Sequence, residues 1–174
     1  MSPASLKELD EADFVARFGG VFEHSPWIAR TAWANGLADR HETAEGLHEA
    51  LCAAFRSANR DAQLGVLRAH PDLAGRLALA GALTADSSAE QAGAGLDRCT
   101  PDEYARFQVL NDTYQAKFGF PFIMAVRGRS RAEILEAFEQ RVNNTPEQEF
   151  ETALGQVERI ALLRLKDLLP SREA

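Results

Sequence analysis

The stretch Arg68-Ala69-His70-Pro71-Asp72-Leu73-Ala74-Gly75 sets an imidazole directly before a proline. Proline disfavours helical geometry in the residue that precedes it. His70 is therefore predicted at a helix end, just after the helical run DAQLGVLRA. That is a poor position for a core-filling residue and a good one for aiming a ring into a cleft. A helix C-terminus favours the protonated ring, which suits a general acid or base near neutral pH. Of the other three histidines, His41 and His48 stand near a helix start and are expected in solvent, and His24 precedes a cap and is expected to be structural.

Arg164 is the second candidate. Along the last predicted helix the apolar stripe runs Phe150, Leu154, Val157, Ala161, Leu168, at spacings of 4, 3, 4 and 7. Position 164 falls in the gap, so its side chain points where the apolar ones point. An arginine keeps its charge in a protein, and burying it unpaired is very costly. It must meet an internal carboxylate, face a cavity that holds an anion, or sit at the stripe's edge and reach water.

Glu90, in Ser87-Ser88-Ala89-Glu90-Gln91, has two readings. Ser87 and Glu90 have capping-box spacing, which is a purely structural device. Alternatively, the first turn of a short helix there presents backbone N–H groups, a hydroxyl, a carboxylate and an amide to a polar, anionic ligand. The stretch KFGFPFIMAV offers a further possibility: extended backbone whose N–H and C=O groups can bond a flat heterocycle, walled by apolar side chains. An ordinary buried connector is the plainer alternative. No HExxH or paired-cysteine spacing is present, so no metal site is expected.

The elements that must position these groups are punctuated clearly. Ser25-Pro26 is predicted to open a helix, with serine as N-cap and proline at the first position. Thr43 opens another, with Leu47, Leu51 and Phe55 on one face. Thr100, Ser130 and Thr145 each begin a capping box. The first of these leads Tyr104, Phe107, Leu110 and Tyr114 along one face; the third starts the longest helix, ending near Leu169 before Pro170. Nothing alternates like a half-buried strand, and residues 119–126 are the one candidate extended segment. Residues 81–99 read as a loop with a short helix. The expected fold is all-α: about seven or eight helices in one bundle-like domain spanning 1–174.

The wider composition agrees. With 174 residues the chain buries roughly 70% of its unfolded surface. A net charge of −7, with 19 basic residues interleaved among acids, argues against a nucleic-acid partner. Cys52 and Cys99 make no disulfide framework; Cys52, in an apolar helical run, reads as a buried small hydrophobe. No apolar run reaches the ~20 residues of a membrane span. Neither a signal peptide nor a targeting tail is visible, the chain ending in SREA, so a cytoplasmic location is expected.

Taken together, FGGVFEHSPWIA (18–29), HPDLAG (70–75), SSAEQAGAGL (87–96), LNDTYQAKFGFPFIMAVRG (110–128) and RVNN…E…AL…IALLRL (141–165) resemble the 2-oxo-4-hydroxy-4-carboxy-5-ureidoimidazoline (OHCU) decarboxylase family. HPDL alone is a weak signal. SxxEQxxAGL followed by LNxxYxxKFGFPFI is highly specific. The resemblance implies a cofactor-free enzyme of purine breakdown, acting on OHCU after urate oxidation and hydroxyisourate hydrolysis and yielding (S)-allantoin. It also implies an all-α fold and a homodimer. Carried over by matching motif, His70 is the proton-transfer residue, with Glu90 and Arg164 as polar groups of the catalytic site. Pro71, Ser87, Ser88, Ala89, Glu90, Gln91, Phe122, Ile123, Met124, Ala125 and Val126 would line the substrate. The rival readings are a non-catalytic helical module that binds a ureide or purine, and a metal-dependent amidohydrolase acting on a ureide.

Overall fold

The computed structural model describes residues 5–75 and 81–170; the SREA tail lies outside them. Among the described residues there are eight α-helices and no strand, as the sequence predicts. They are α1 (Glu11–Phe18), α2 (Trp27–Ala34), α3 (Ala44–Ser57), α4 (Arg60–Ala69), α5 (Ala85–Gly93), α6 (Pro101–Phe118), α7 (Arg131–Arg141) and α8 (Pro146–Leu168). The segment before α7 runs without regular structure from Pro121 to Val126.

Most helix starts fall where the caps predict them. Thr43 accepts from the Gly46 N–H. Thr100 and Ser130 each form a reciprocal box with a glutamate, Glu103 and Glu133. Thr145 forms one with Gln148. Two starts differ from expectation. The Ser25 hydroxyl donates back to the Glu23 carbonyl at 2.9 Å, and Pro26 takes the N-cap position of α2. Helix α5 begins earlier than the Ser87–Glu90 spacing suggests: Thr84 is its N-cap, accepting from the Ser87 N–H, so Ser87 stands in the first turn rather than before it. Threonine ranks just below serine as a cap, so both residues are adequate caps and the structure uses Thr84.

The chain divides into two compact units, residues 1–69 with 158–174, and residues 70–157. In the first, Phe14, Phe18, Ile28, Leu47, Leu51 and Phe55 are fully buried along α1, α2 and α3, with Phe22 from the segment between α1 and α2 and Leu165 from the end of α8. Phe22 meets Phe55 edge-on at 5.4 Å, a favoured aromatic geometry. Three expectations fail here. His41 is buried, its Nδ1 accepting from the Ala38 N–H at 2.8 Å. His48 is half-buried and donates through Nε2 to the Glu158 carbonyl at 2.8 Å. Leu168, expected in the buried stripe, is exposed, and Leu165 takes the inward place.

The second unit is built on an aromatic cluster. Phe107, Leu110 and Tyr114 on α6 are buried as their spacing predicts. Phe122 stacks on Phe138 of α7 at 3.9 Å with an interplanar angle of 8°, and the Tyr114 ring stands edge-on to both. Glu149, fully buried, collects the Tyr114 hydroxyl at 2.5 Å, Arg141 at 2.8 Å and Asn144 at 2.9 Å. A buried carboxylate is tolerable only when paired and hydrogen-bonded this completely. Helix α6 stops at Gly119, whose φ of +80° is the left-handed C-cap that glycine adopts without a Cβ penalty.

Candidate active site

Helix α4 ends at Ala69, and His70 follows it outside the helix, as the proline predicts. The histidine is buried, at 7% exposure. Beyond Pro71 the chain turns sharply through Asp72-Leu73-Ala74-Gly75. Three carboxamides hold this turn. Gln91 on α5 accepts the Ala74 N–H at 3.0 Å and donates to the Asp72 carbonyl at 3.1 Å. Gln108 on α6 donates to the Ala74 carbonyl at 2.7 Å, and Asn111, one turn on, donates to the Leu73 carbonyl at 3.0 Å. The second unit thus brings the His70 loop against α5, the helix that carries Glu90.

On α5 the inward residues are Ser87 and Gln91, each 5% exposed. Glu90 is half-buried, while Ser88 and Ala89 are exposed. Ser88 and Gln91 also line a cavity of about 510 Å³ with Ala74, Leu96, Cys99 and Tyr104. Burial pushes the Cys99 thiol above its ordinary pKa, so at neutral pH it is a thiol and not a nucleophilic thiolate.

The segment 122–126 lies in the same unit, with Phe122, Ile123, Ala125 and Val126 buried and Met124 half-buried. Its backbone is partly committed. Arg141 donates to the Ile123 carbonyl at 2.7 Å while lying over the Phe122 ring at 4.4 Å, and Gln156 accepts the Ala125 N–H at 2.9 Å. These bonds fix the strip from one side. They also remove two of the backbone groups that the sequence reading offered to a ligand.

Arg164 belongs to the first unit. It is 4% exposed and does not reach for water. Its Nη2 donates to the Glu23 carboxylate at 2.9 Å, and its Nη1 donates to the Gly20 carbonyl at 3.1 Å. Glu23 itself is 1% exposed. Of the possibilities open for position 164, the internal carboxylate is realised. No local pattern marks Glu23 as the partner, since it lies 141 residues away. Gln108, Asn111, Arg141 and Gln156 were likewise not singled out, because polar residues on amphipathic helices read as solvated faces.

Comparison with known proteins decides the family. The family model for OHCU decarboxylase matches residues 7–166. The chain belongs to the OHCU decarboxylase family. It is 43% identical to the 2-oxo-4-hydroxy-4-carboxy-5-ureidoimidazoline decarboxylase of Halalkalicoccus jeotgali, covering 99% of this chain and 96% of that protein. A Mus musculus protein of the same name is 40% identical, over 97% of this chain and 93% of the relative. Among solved structures, an (S)-allantoin synthase matches with a TM-score of 0.74 at 32% identity, covering 94% of this chain. This chain spans 52% of that one. A crystal structure of an OHCU decarboxylase shares the fold at a TM-score of 0.66 and 24% identity. Among the described residues of this family member, no group of three or more His, Cys, Asp or Glu could hold a metal ion, and no helix is long and apolar enough to cross a membrane.

Proposed function

We propose that this chain catalyses the decarboxylation of OHCU to (S)-allantoin in urate degradation, and that residues 1–174 act as one functional domain. Membership of the OHCU decarboxylase family along 7–166, a range that takes in residues of both compact units, is the observation that carries the reading.

The substrate's own structure makes the reaction possible without a metal or organic cofactor. The carbon that bears the carboxylate also bears a hydroxyl and adjoins a ring C=N. When the carbon–carboxylate bond breaks, carbon dioxide leaves, the bonding pair forms a C=C bond to the adjoining ring carbon, and the C=N pair moves onto the ring nitrogen, which takes up a proton from solvent. The resulting enol loses its hydroxyl proton while the neighbouring carbon gains one, which gives allantoin. The protein must orient the carboxylate, take up the hydroxyl proton and return a proton to a single face.

In this reading His70 transfers the proton. Its buried place at the head of a braced loop fits that task, because a general acid or base must be held within hydrogen-bond reach of the reacting atoms. Glu90 accepts from ureido or ring N–H groups, or sets the protonation of His70. Arg164, held by Glu23, pairs with the carboxylate or another polar edge of the substrate. Pro71, Ser87, Ser88, Ala89, Gln91, Phe122, Ile123, Met124, Ala125 and Val126 line the substrate. We further read the enzyme as a cytoplasmic homodimer, which sedimentation of the purified protein and cell fractionation test.

Stereochemistry tests the proposal directly. Unaided, the substrate loses carbon dioxide and takes its proton from either face, giving racemic allantoin. Urate is treated with urate oxidase and hydroxyisourate hydrolase, with and without this protein, and the circular dichroism of the product is followed. The expected result is rapid appearance of the (S) signal only when the protein is present, unchanged by a chelator. A slow, racemic product in both arms excludes catalysis by this chain.

A further inference from the structure

Ala74 has a φ of +50°, one of only two non-glycine residues with positive φ among the described residues. It is the third residue of the Asp72–Gly75 turn, the position where a left-handed residue is normally glycine or asparagine. An alanine there is strained, because its Cβ crowds the following carbonyl oxygen. The glycine stands one residue later for a separate reason: a Cβ at position 75 would lie 2.6 Å from the Cβ of Asp72. The turn is therefore both tight and strained, and it begins two residues after His70.

Strain of this kind persists only where the surroundings over-determine the backbone. Here they do so visibly. Both polar backbone groups of Ala74 are engaged, the N–H by Gln91 and the C=O by Gln108. The carbonyls of the two preceding residues are held by Gln91 and Asn111. Gln91 and Asn111 are buried and Gln108 half-buried, so water competes poorly for these bonds.

We propose that Gln108 and Asn111 of α6, with Gln91 of α5, are positioning residues for His70: a carboxamide clamp that holds Ala74 in its strained conformation and thereby fixes the loop that begins with the histidine. The inference rests on the catalytic reading of His70 given above. Removing the Gln108 contact lets Ala74 relax to negative φ, and the loop then carries His70 away from its working position. Strain worth 1–2 kcal/mol corresponds to a population ratio of about five- to thirtyfold.

The test uses Gln108→Met, Asn111→Leu, Ala74→Gly and the Gln108→Met/Ala74→Gly pair, with His70→Asn as reference. Steady-state kinetics on freshly generated OHCU and the NMR titration of the His70 ring are recorded on each folded protein. Gln108→Met should lower kcat about five- to thirtyfold with KM little changed, and shift the His70 ring signals. Ala74→Gly in that background should restore most of both, because glycine occupies the left-handed region without strain. Asn111→Leu should move kcat and the ring signals in the same sense as Gln108→Met, and carries the test if Gln108→Met does not fold. The clamp is overturned if the folded variants keep the wild-type rate and His70 spectrum, or if the glycine restores neither. An active His70→Asn protein would refute the catalytic reading instead, and the ring titration would still decide the clamp.

Discussion

Replacing Arg164 with methionine isolates one buried charge. The guanidinium is 4% exposed and its carboxylate partner, Glu23, 1%. Arg164→Met keeps most of the side-chain volume but leaves Glu23 without this cation at 2.9 Å and the Gly20 carbonyl without its donor at 3.1 Å. Breaking a buried ion pair from one side typically costs about 3–5 kcal/mol, because the remaining charge stays desolvated. For a chain of this size, about 2–4 °C of melting temperature accompanies each kcal/mol, so the expected fall is about 6–20 °C. Removing both charges in Arg164→Met/Glu23→Leu should recover most of that loss, since apolar replacement of a whole buried pair is often neutral or stabilising. Circular dichroism melts of the wild type, both single variants and the double variant give the coupling directly. OHCU kinetics on the same proteins report the substrate role: the double variant should be stable yet catalytically poor. A single variant that melts with the wild type, or a double variant no more stable than Arg164→Met, would refute the argument that the pair is coupled.

Other outcomes follow from the same structure. His70→Asn should fold with unchanged helicity and lose at least ~10²-fold in rate, measured by allantoin formation under saturating substrate. Tyr114→Phe removes a hydroxyl bonded to buried Glu149, which keeps Arg141 and Asn144; about 1.5–3 kcal/mol of stability should disappear in urea titrations, with the fold retained. Burial, aided by the neighbouring Arg40 and opposed by Glu49, holds the His41 pKa below its ordinary value. The unfolded chain then binds this proton more readily than the native one, so the His41 contribution to stability is complete above pH ~6.5 and is lost as pH falls through the lower native pKa. Melting temperatures recorded from pH 7.5 down to pH 5 should fall less steeply in His41→Gln than in the wild type.

The sequence alone determined the features that depend on neighbours a few residues apart. Thr43, Thr100, Ser130 and Thr145 start helices because a side-chain oxygen and the N–H groups it caps belong to the same turn. His70 leaves its helix because the clash with Pro71 is local. The burial of Phe107, Leu110 and Tyr114 follows from a period of 3.6 against any apolar partner. The motif set likewise carried the family, because ordered short patterns survive without a structure.

Tertiary structure decided the partners. Arg164 was legible as inward-facing, but its carboxylate comes from 141 residues away, and no periodicity links the two. His41 was expected in solvent; it is buried because a short turn folds its ring back onto the Ala38 N–H. Ser87 lost the cap of α5 to Thr84 because two adequate caps competed and local rules do not rank the helices they would start. The clamp on Ala74 is the clearest case. A glutamine and an asparagine on α6 have helical spacing and ordinary polarity, and they become braces only where the strained turn after His70 presents its carbonyls to them. Backbone groups carry the same chemistry at every residue, so which ones meet a given amide is fixed by the fold and cannot be read from the residue types.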